Sequence, residues 1–176
     1  KVTIVPRGQS LGAAWYLPEE RQITTTKQLL DEMCMTLGGR AAEQVMFGEI
    51  STGALSDLEK VTKQAQAMVT VYGLNEKLGN ISYYDSSGQS EYSFSKPYSE
   101  KTAQIIDEEI HTLIESMYVK TVALLEANKD KLTELAELLK KEEVIFAEDL
   151  ERIFGPRPFP ESDRQRMNRE GLDDIK

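Results

Sequence analysis

Apolar residues along this chain recur mainly at helical spacing. From Thr24 onward, Leu29, Leu30, Met33 and Leu37 mark one helix face, and Thr24-Thr25-Thr26 offers caps for its start. Gly38-Gly39 predicts a break, followed by a second short helix over Ala41, Ala42, Val45 and Met46 that ends near Phe47-Gly48. Ser51-Thr52-Gly53-Ala54 predicts a turn. Leu58, Val61, Ala65, Met68, Val69 and Tyr72 then line one face of the next helix, with Gly73 as its C-terminal cap. A long helix is expected from about Ser99 to Ala127, with Ala103, Ile106, Ile110, Leu113, Met117, Thr121 and Leu124 as its stripe. Asn128 is placed to cap a following helix marked by Leu132, Leu135, Leu138 and Leu139, and a last short helix carries Leu150, Ile153 and Phe154.

Two stretches near the start alter this helical picture. Val2-Thr3-Ile4-Val5 is β-rich, and Pro6-Arg7-Gly8 turns the chain. Ala13-Ala14-Trp15-Tyr16-Leu17 reads as a second short strand ended by Pro18, so a hairpin with an edge strand is expected. Residues 79–98 are rich in Ser, Gly and Tyr, predicting a short strand at Ile81–Tyr84 and then a mobile loop. The apolar pattern stops after Gly155-Pro156, and 160–176 reads as a disordered polar tail. The expected fold class is mainly α, with a small β-hairpin near the N-terminus.

Composition narrows the partners. Of 176 residues, 40% are hydrophobic and 29% charged, an ordinary globular balance. The net charge of −9 repels phosphate backbones, which argues against nucleic acid as a partner. Cys34 is the only cysteine, so no intrachain disulfide forms. The start at Lys1-Val2-Thr3, without Met or a signal-peptide pattern, is expected to lie inside a longer protein.

The chemistry open to the chain by itself is limited. A catalytic zinc takes three protein ligands and keeps one position for water, and its helical form uses two His at i and i+4 with a Glu between. This chain has one His, His111, and no phosphate-binding Walker loop, so neither a complete zinc site nor ATP hydrolysis is expected within it. His111 reads as a solvated or core-edge residue, Cys34 as a small buried group, and Asp107-Glu108-Glu109 as a solvated helix face. Asp57, by its neighbours alone, reads as a helix-start carboxylate beside a Ser56-x-x-Glu59 capping box. Glu43 alone reads as a helix carboxylate paired with Arg40.

The ordered runs around these two acids say more. Residues 38–58, GGRAAEQVMFGEISTGALSDL, resemble the peptidase domain of the FtsH family of AAA+ zinc proteases (peptidase M41). KVTIVPRG and AAWYLPEE precede that run. Met68-Val69, Tyr72-Gly73, Glu76-Lys77-Leu78-Gly79, KPYSEKTAQIIDEEI and FGPRPF follow it in the family's order. The resemblance covers residues 1–159 and implies a partial zinc-peptidase domain of an ATP-dependent metalloendopeptidase that degrades unfolded or misassembled proteins. It implies that HExxH, with its catalytic Glu, lies just upstream of Lys1, so no catalytic residue falls within this chain, which alone should be inactive.

By the same resemblance Asp57 is the third zinc ligand, and Glu43 is a candidate to orient a zinc-bound His. Ala13, Ala14, Trp15 and Tyr16 form a candidate strand for binding extended substrate. ATP and Mg enter only through the missing AAA+ module. A homo-hexamer and an upstream membrane anchor are implied, with the peptidase part in the bacterial cytoplasm or, alternatively, on the mitochondrial matrix side. The alternative function is a non-catalytic helical hexamerisation scaffold.

Overall fold

The computed structural model describes residues 1–8, 12–15, 23–83 and 97–156. The substrate-strand residue Tyr16, most of the expected loop over 83–98 and the expected polar tail lie outside them. The chain forms two compact units, Glu19–Lys129 and a second made of Lys1–Pro18 with Asp130–Lys176.

In the first unit, helix α1 (Thr26–Phe47) starts on Thr25, whose hydroxyl accepts the Gln28 N–H while the Gln28 side chain accepts the Thr25 N–H. This reciprocal pair satisfies donors that every helix start leaves open. The helix runs unbroken through Gly38-Gly39, where a break was expected. Two glycines cost about 1 kcal/mol each against Ala. Met33, Leu37 and Ala41 are buried on one face spanning the pair, and each large apolar side chain buried gains roughly 1.5–3 kcal/mol. Packing therefore outweighs propensity. Neither glycine has a positive φ, and a Cβ added to either meets nothing within 4 Å. Gly39→Ala is accordingly expected to raise stability by about 1 kcal/mol, seen as a higher urea midpoint at unchanged m-value.

A one-turn 3-10 helix (Thr52–Ala54) leads into α2 (Leu55–Thr70), and α3 spans Glu100–Ala127. Met33 and Leu37 of α1 with Val61, Ala65 and Met68 of α2 form the main core, closed by half-buried Ile110, Leu113 and Met117 of α3. A smaller cluster joins Val69, Leu78 and Ile106. Tyr72 falls beyond the end of α2 and is exposed, so it is not part of that helix's buried face. Gly73, at φ 62°, turns the chain so that the Leu74 N–H reaches the Met68 carbonyl at 3.2 Å. Residues 81–83 form no strand. The Tyr83 N–H bonds the Thr70 carbonyl at 2.7 Å, and its ring meets Tyr98 edge-on at 5.1 Å.

Ser99 caps α3 through the Thr102 N–H. Leu124 is exposed, against its place in the expected stripe. Asn128 closes α3, its side-chain amide donating to the Leu124 carbonyl, and so serves the helix before it. Glu109 is not simply solvated. It accepts the Asn75 side-chain amide at 2.7 Å and pairs with Lys77, while Asn75 Oδ1 accepts the Lys77 and Leu78 N–H groups. Lys77 first, then Asn75, hold the Glu109 carboxyl below its usual 4.5. A depressed folded-state pKa gives stability that is present above the unfolded value and lost as pH falls through the folded one. Glu109→Gln is therefore expected to be less stable than the wild type at pH 7. The gap should close as an acid titration passes below 4.5, followed by circular dichroism.

The second unit holds a three-stranded sheet in the order β2-β1-β3, with β1 at Val2–Thr3, β2 at Ala13–Ala14 and β3 at Val144–Ile145. Both pairings are antiparallel, Val2 standing opposite Ala14 on one side and Ile145 on the other. The hairpin and the edge position of β2 match expectation. The strands are shorter than expected, and β3 was not foreseen. Helix α4 (Lys129–Glu142) precedes β3, and α5 (Ala147–Phe154) follows it. Glu143 takes φ 59° between α4 and β3, and its carbonyl accepts both the Thr3 hydroxyl and the Ile4 N–H. Ile145 and Ile153 are buried. Gly12 is required where β2 meets β1, because a Cβ there would stand 2.7 Å from the Thr3 carbonyl oxygen.

Candidate metal-ligand site

The site grows from the turn between α1 and α2. Gly48 ends α1 at φ 71°, its N–H bonded to the Gln44 carbonyl. The turn that follows comes back against the last turns of α1. There both oxygens of Glu43 are engaged by Ser51: Oε2 accepts the Ser51 N–H at 2.8 Å and Oε1 the Ser51 hydroxyl at 2.7 Å. Ser51 Oγ also accepts the Gly53 N–H at 3.2 Å, which caps the 3-10 turn. Arg40 Nη1 approaches the Ser51 carbonyl at 3.5 Å rather than forming the expected pair with Glu43. The Ser51 hydroxyl and amide, and less strongly the Arg40 charge, hold the Glu43 carboxyl below its usual range.

Ala54 then buries itself and opens α2 without a side-chain cap. Leu58, one turn on, packs against the main core. These two anchors direct Asp57, in the first turn of α2, toward solvent. Ser56 lies inside the helix, so the Ser56-x-x-Glu59 box does not cap it. The 3-10 turn moves the helix start upstream of Ser56. Among the described residues no hydrogen bond or ion pair engages the Asp57 carboxylate.

Asp57 suits a metal as one ligand: a hard oxygen donor, exposed, held by a core-anchored helix start whose dipole favours the anion. It does not suffice. Among the described residues no three His, Cys, Asp or Glu side chains gather around it or elsewhere. His111 stands exposed on α3. Cys34 is half-buried with its sulfur 3.8 Å from the Met117 sulfur, a packing contact.

Gly8-Gln9-Ser10-Leu11-Gly12 spells the G-x-S-x-G letters of a hydrolase nucleophile elbow. An elbow needs a helix after it. Here the next element among the described residues is strand β2, and Ser10 lies outside them.

Of the substrate-strand candidates, Ala13 and Ala14 form β2. Trp15 extends the ladder, its N–H bonded to the Lys1 carbonyl at 2.8 Å and its carbonyl to the Lys1 amino terminus at 3.2 Å. The Trp15 ring is half-exposed under the Lys1 ammonium. β2 pairs on one side only, with β1, among the described residues.

The model of the family described as Peptidase family M41 matches residues 1–153. The chain belongs to this family. An ATP-dependent zinc metalloprotease FtsH of Parabacteroides distasonis is 59% identical over 159 residues, covering 90% of this chain and 23% of that protein. A mitochondrial ATP-dependent zinc metalloprotease, FTSH 3 of Arabidopsis thaliana, is 54% identical over 160 residues, covering 90% of this chain and 20% of that protein. An m-AAA protease component of the mouse mitochondrial inner membrane is 50% identical over 161 residues, 92% of this chain and 20% of its own length. The M41 chain thus spans about a quarter or less of these relatives.

Sequence reasoning placed Asp57 and Glu43 in this M41 segment but gave Ser51 no role. The available signal was a Ser opening the turn after Gly48, eight residues beyond a helix carboxylate. No helical or strand period links two such positions. No described helix is long and apolar enough to cross a membrane.

Proposed function

We propose that this M41 chain works within a longer ATP-dependent zinc metalloendopeptidase and contributes Asp57 as one of its metal ligands. The observation that carries this reading is the exposed Asp57 carboxylate, unpartnered among the described residues, on a core-anchored first turn inside a chain of this family. Bound between Asp57 and ligands from outside this chain, zinc would supply an activated water and polarise the peptide carbonyl. Residues 1–159 make the peptidase portion and 160–176 a polar tail. The open edge of β2, with Ala13, Ala14 and Trp15, accepts extended substrate as an added strand, reading backbone rather than side chains.

The relatives' names support ATP dependence and zinc. On that basis a AAA+ module outside this chain uses ATP and Mg, copies assemble as a hexamer, and unfolded proteins are the substrates. The whole is held at an inner membrane with this portion in the bacterial cytoplasm.

The test is ATP-driven cleavage of casein by the full-length protein. Cleavage should stop on zinc chelation and return with zinc. Robust ATP hydrolysis without any cleavage in zinc would favour the scaffold reading instead. The 176-residue chain alone is expected to bind no stoichiometric zinc in equilibrium dialysis, and tight binding by it would mean the ligands are misplaced.

A further inference from the structure

We propose that Glu43, acting through Ser51, is a positioning residue for Asp57. The proposal rests on the reading of Asp57 as a metal ligand.

α2 begins without a side-chain cap of its own. Its start is fixed instead by the 3-10 turn, and that turn is capped by Ser51. Ser51 in turn is tied to α1 by two short bonds from its amide and hydroxyl to the two Glu43 oxygens. Charge-assisted bonds of this kind are about twice as strong as neutral ones. A two-point contact fixes direction as well as distance. The latch therefore runs from α1 through Glu43 and Ser51 into the turn, and from Ala54 into the first turn of α2. Gly53 is part of it: a Cβ there would stand 3.3 Å from Ser51 Oγ and 4.0 Å from Glu43 Oε1. The buried side of the same turn is held by Ala54 and Leu58. Asp57 is thus fixed from two sides while its own carboxylate stays exposed. An exposed Asp on a frayed helix start would sample many positions and lose affinity for any metal it must meet in one geometry.

This differs from a direct bond between Glu43 and a metal-bound His. In the latch, Glu43 matters only because Ser51 is there to receive it.

The experiment uses the full-length protein and reads the zinc dissociation constant by competition with a chromogenic chelator. ATP hydrolysis and melting temperature serve as controls. Glu43→Ala is expected to weaken zinc by roughly 10–100-fold, as loss of an outer partner does. Ser51→Ala should weaken it less, and Ser51→Thr should bind like wild type. The double variant should fall short of the product of the two single effects by roughly twofold or more, the mark of two residues acting as one unit. Single effects that multiply would overturn the proposal, since Glu43 would then act by another route. So would an unchanged zinc constant in Glu43→Ala.

Asp57→Asn is measured beside them. If it leaves zinc affinity intact, the ligand reading falls and the latch with it. If it abolishes zinc while Glu43→Ala does not weaken it, only the latch falls. Should Glu43→Ala not fold, Ser51→Ala against Ser51→Thr decides: equal affinities overturn the latch, and a loss confined to Ala supports it.

Discussion

Asp57→Asn in the full-length protein is expected to abolish proteolysis and weaken zinc by at least ~100-fold, the upper end of what losing even an outer partner costs. The substitution keeps the shape of the side chain and removes its charge, so on the proposed reading a neutral amide would face the metal in place of a carboxylate. The fold should barely notice. Asp57 is exposed, and among the described residues nothing bonds to it. Its remaining role is to offset the helix dipole, worth about 0.3–1 kcal/mol. ATP hydrolysis, which the proposal assigns to a module outside this chain, should persist. Measuring zinc by mass spectrometry beside ATPase and casein assays separates these effects. A variant that retains full cleavage would remove Asp57 from the site.

Met33→Ala should give the largest loss of stability. Met33 is 0% exposed and sits where α1 meets α2 and α3, among Leu37, Val61, Ala65 and Met68. Truncating such a side chain removes buried surface and leaves a cavity, for about 2–5 kcal/mol. For a chain of this size that lowers the melting temperature by roughly 5–20 °C. Leu124→Ala is the contrast. The apolar stripe of α3 put Leu124 on the same footing as its neighbours, yet it is 59% exposed. Its truncation should stay within about 0.5 kcal/mol. Equal losses at the two positions, measured by urea denaturation, would contradict the assignment of the core.

The helical skeleton was legible because its signal is local. α2 and α3 announce themselves through their apolar period, and Thr25 caps α1 within the threonine run that offered a cap. What was missed depends on distant partners. Gly38-Gly39 looked like a break because propensity is local, whereas the burial of Met33, Leu37 and Ala41 that holds the helix together is tertiary. β3 is two residues long and pairs with β1 from the far end of the chain, so no window contains both. Asn128 was assigned to the helix after it because an Asn between two helices fits either. The structure shows its amide on the Leu124 carbonyl.

The site divides in the same way. Asp57 and Glu43 stood out only through the ordered motifs around them. The neighbours of Asp57 suggested a capping box at Ser56, which the 3-10 turn displaces into the helix. Ser51, the residue that ties Glu43 to the turn, gave no periodic signal, because a side chain reaching across a turn follows no period.

The most direct test of the Asp57 assignment is anomalous scattering at the zinc edge from crystals of the full-length protein. The account predicts one zinc peak per protomer with an Asp57 carboxylate oxygen at about 2.0–2.2 Å. A fully occupied catalytic zinc with Asp57 outside its coordination sphere, and another side chain in its place, would contradict it.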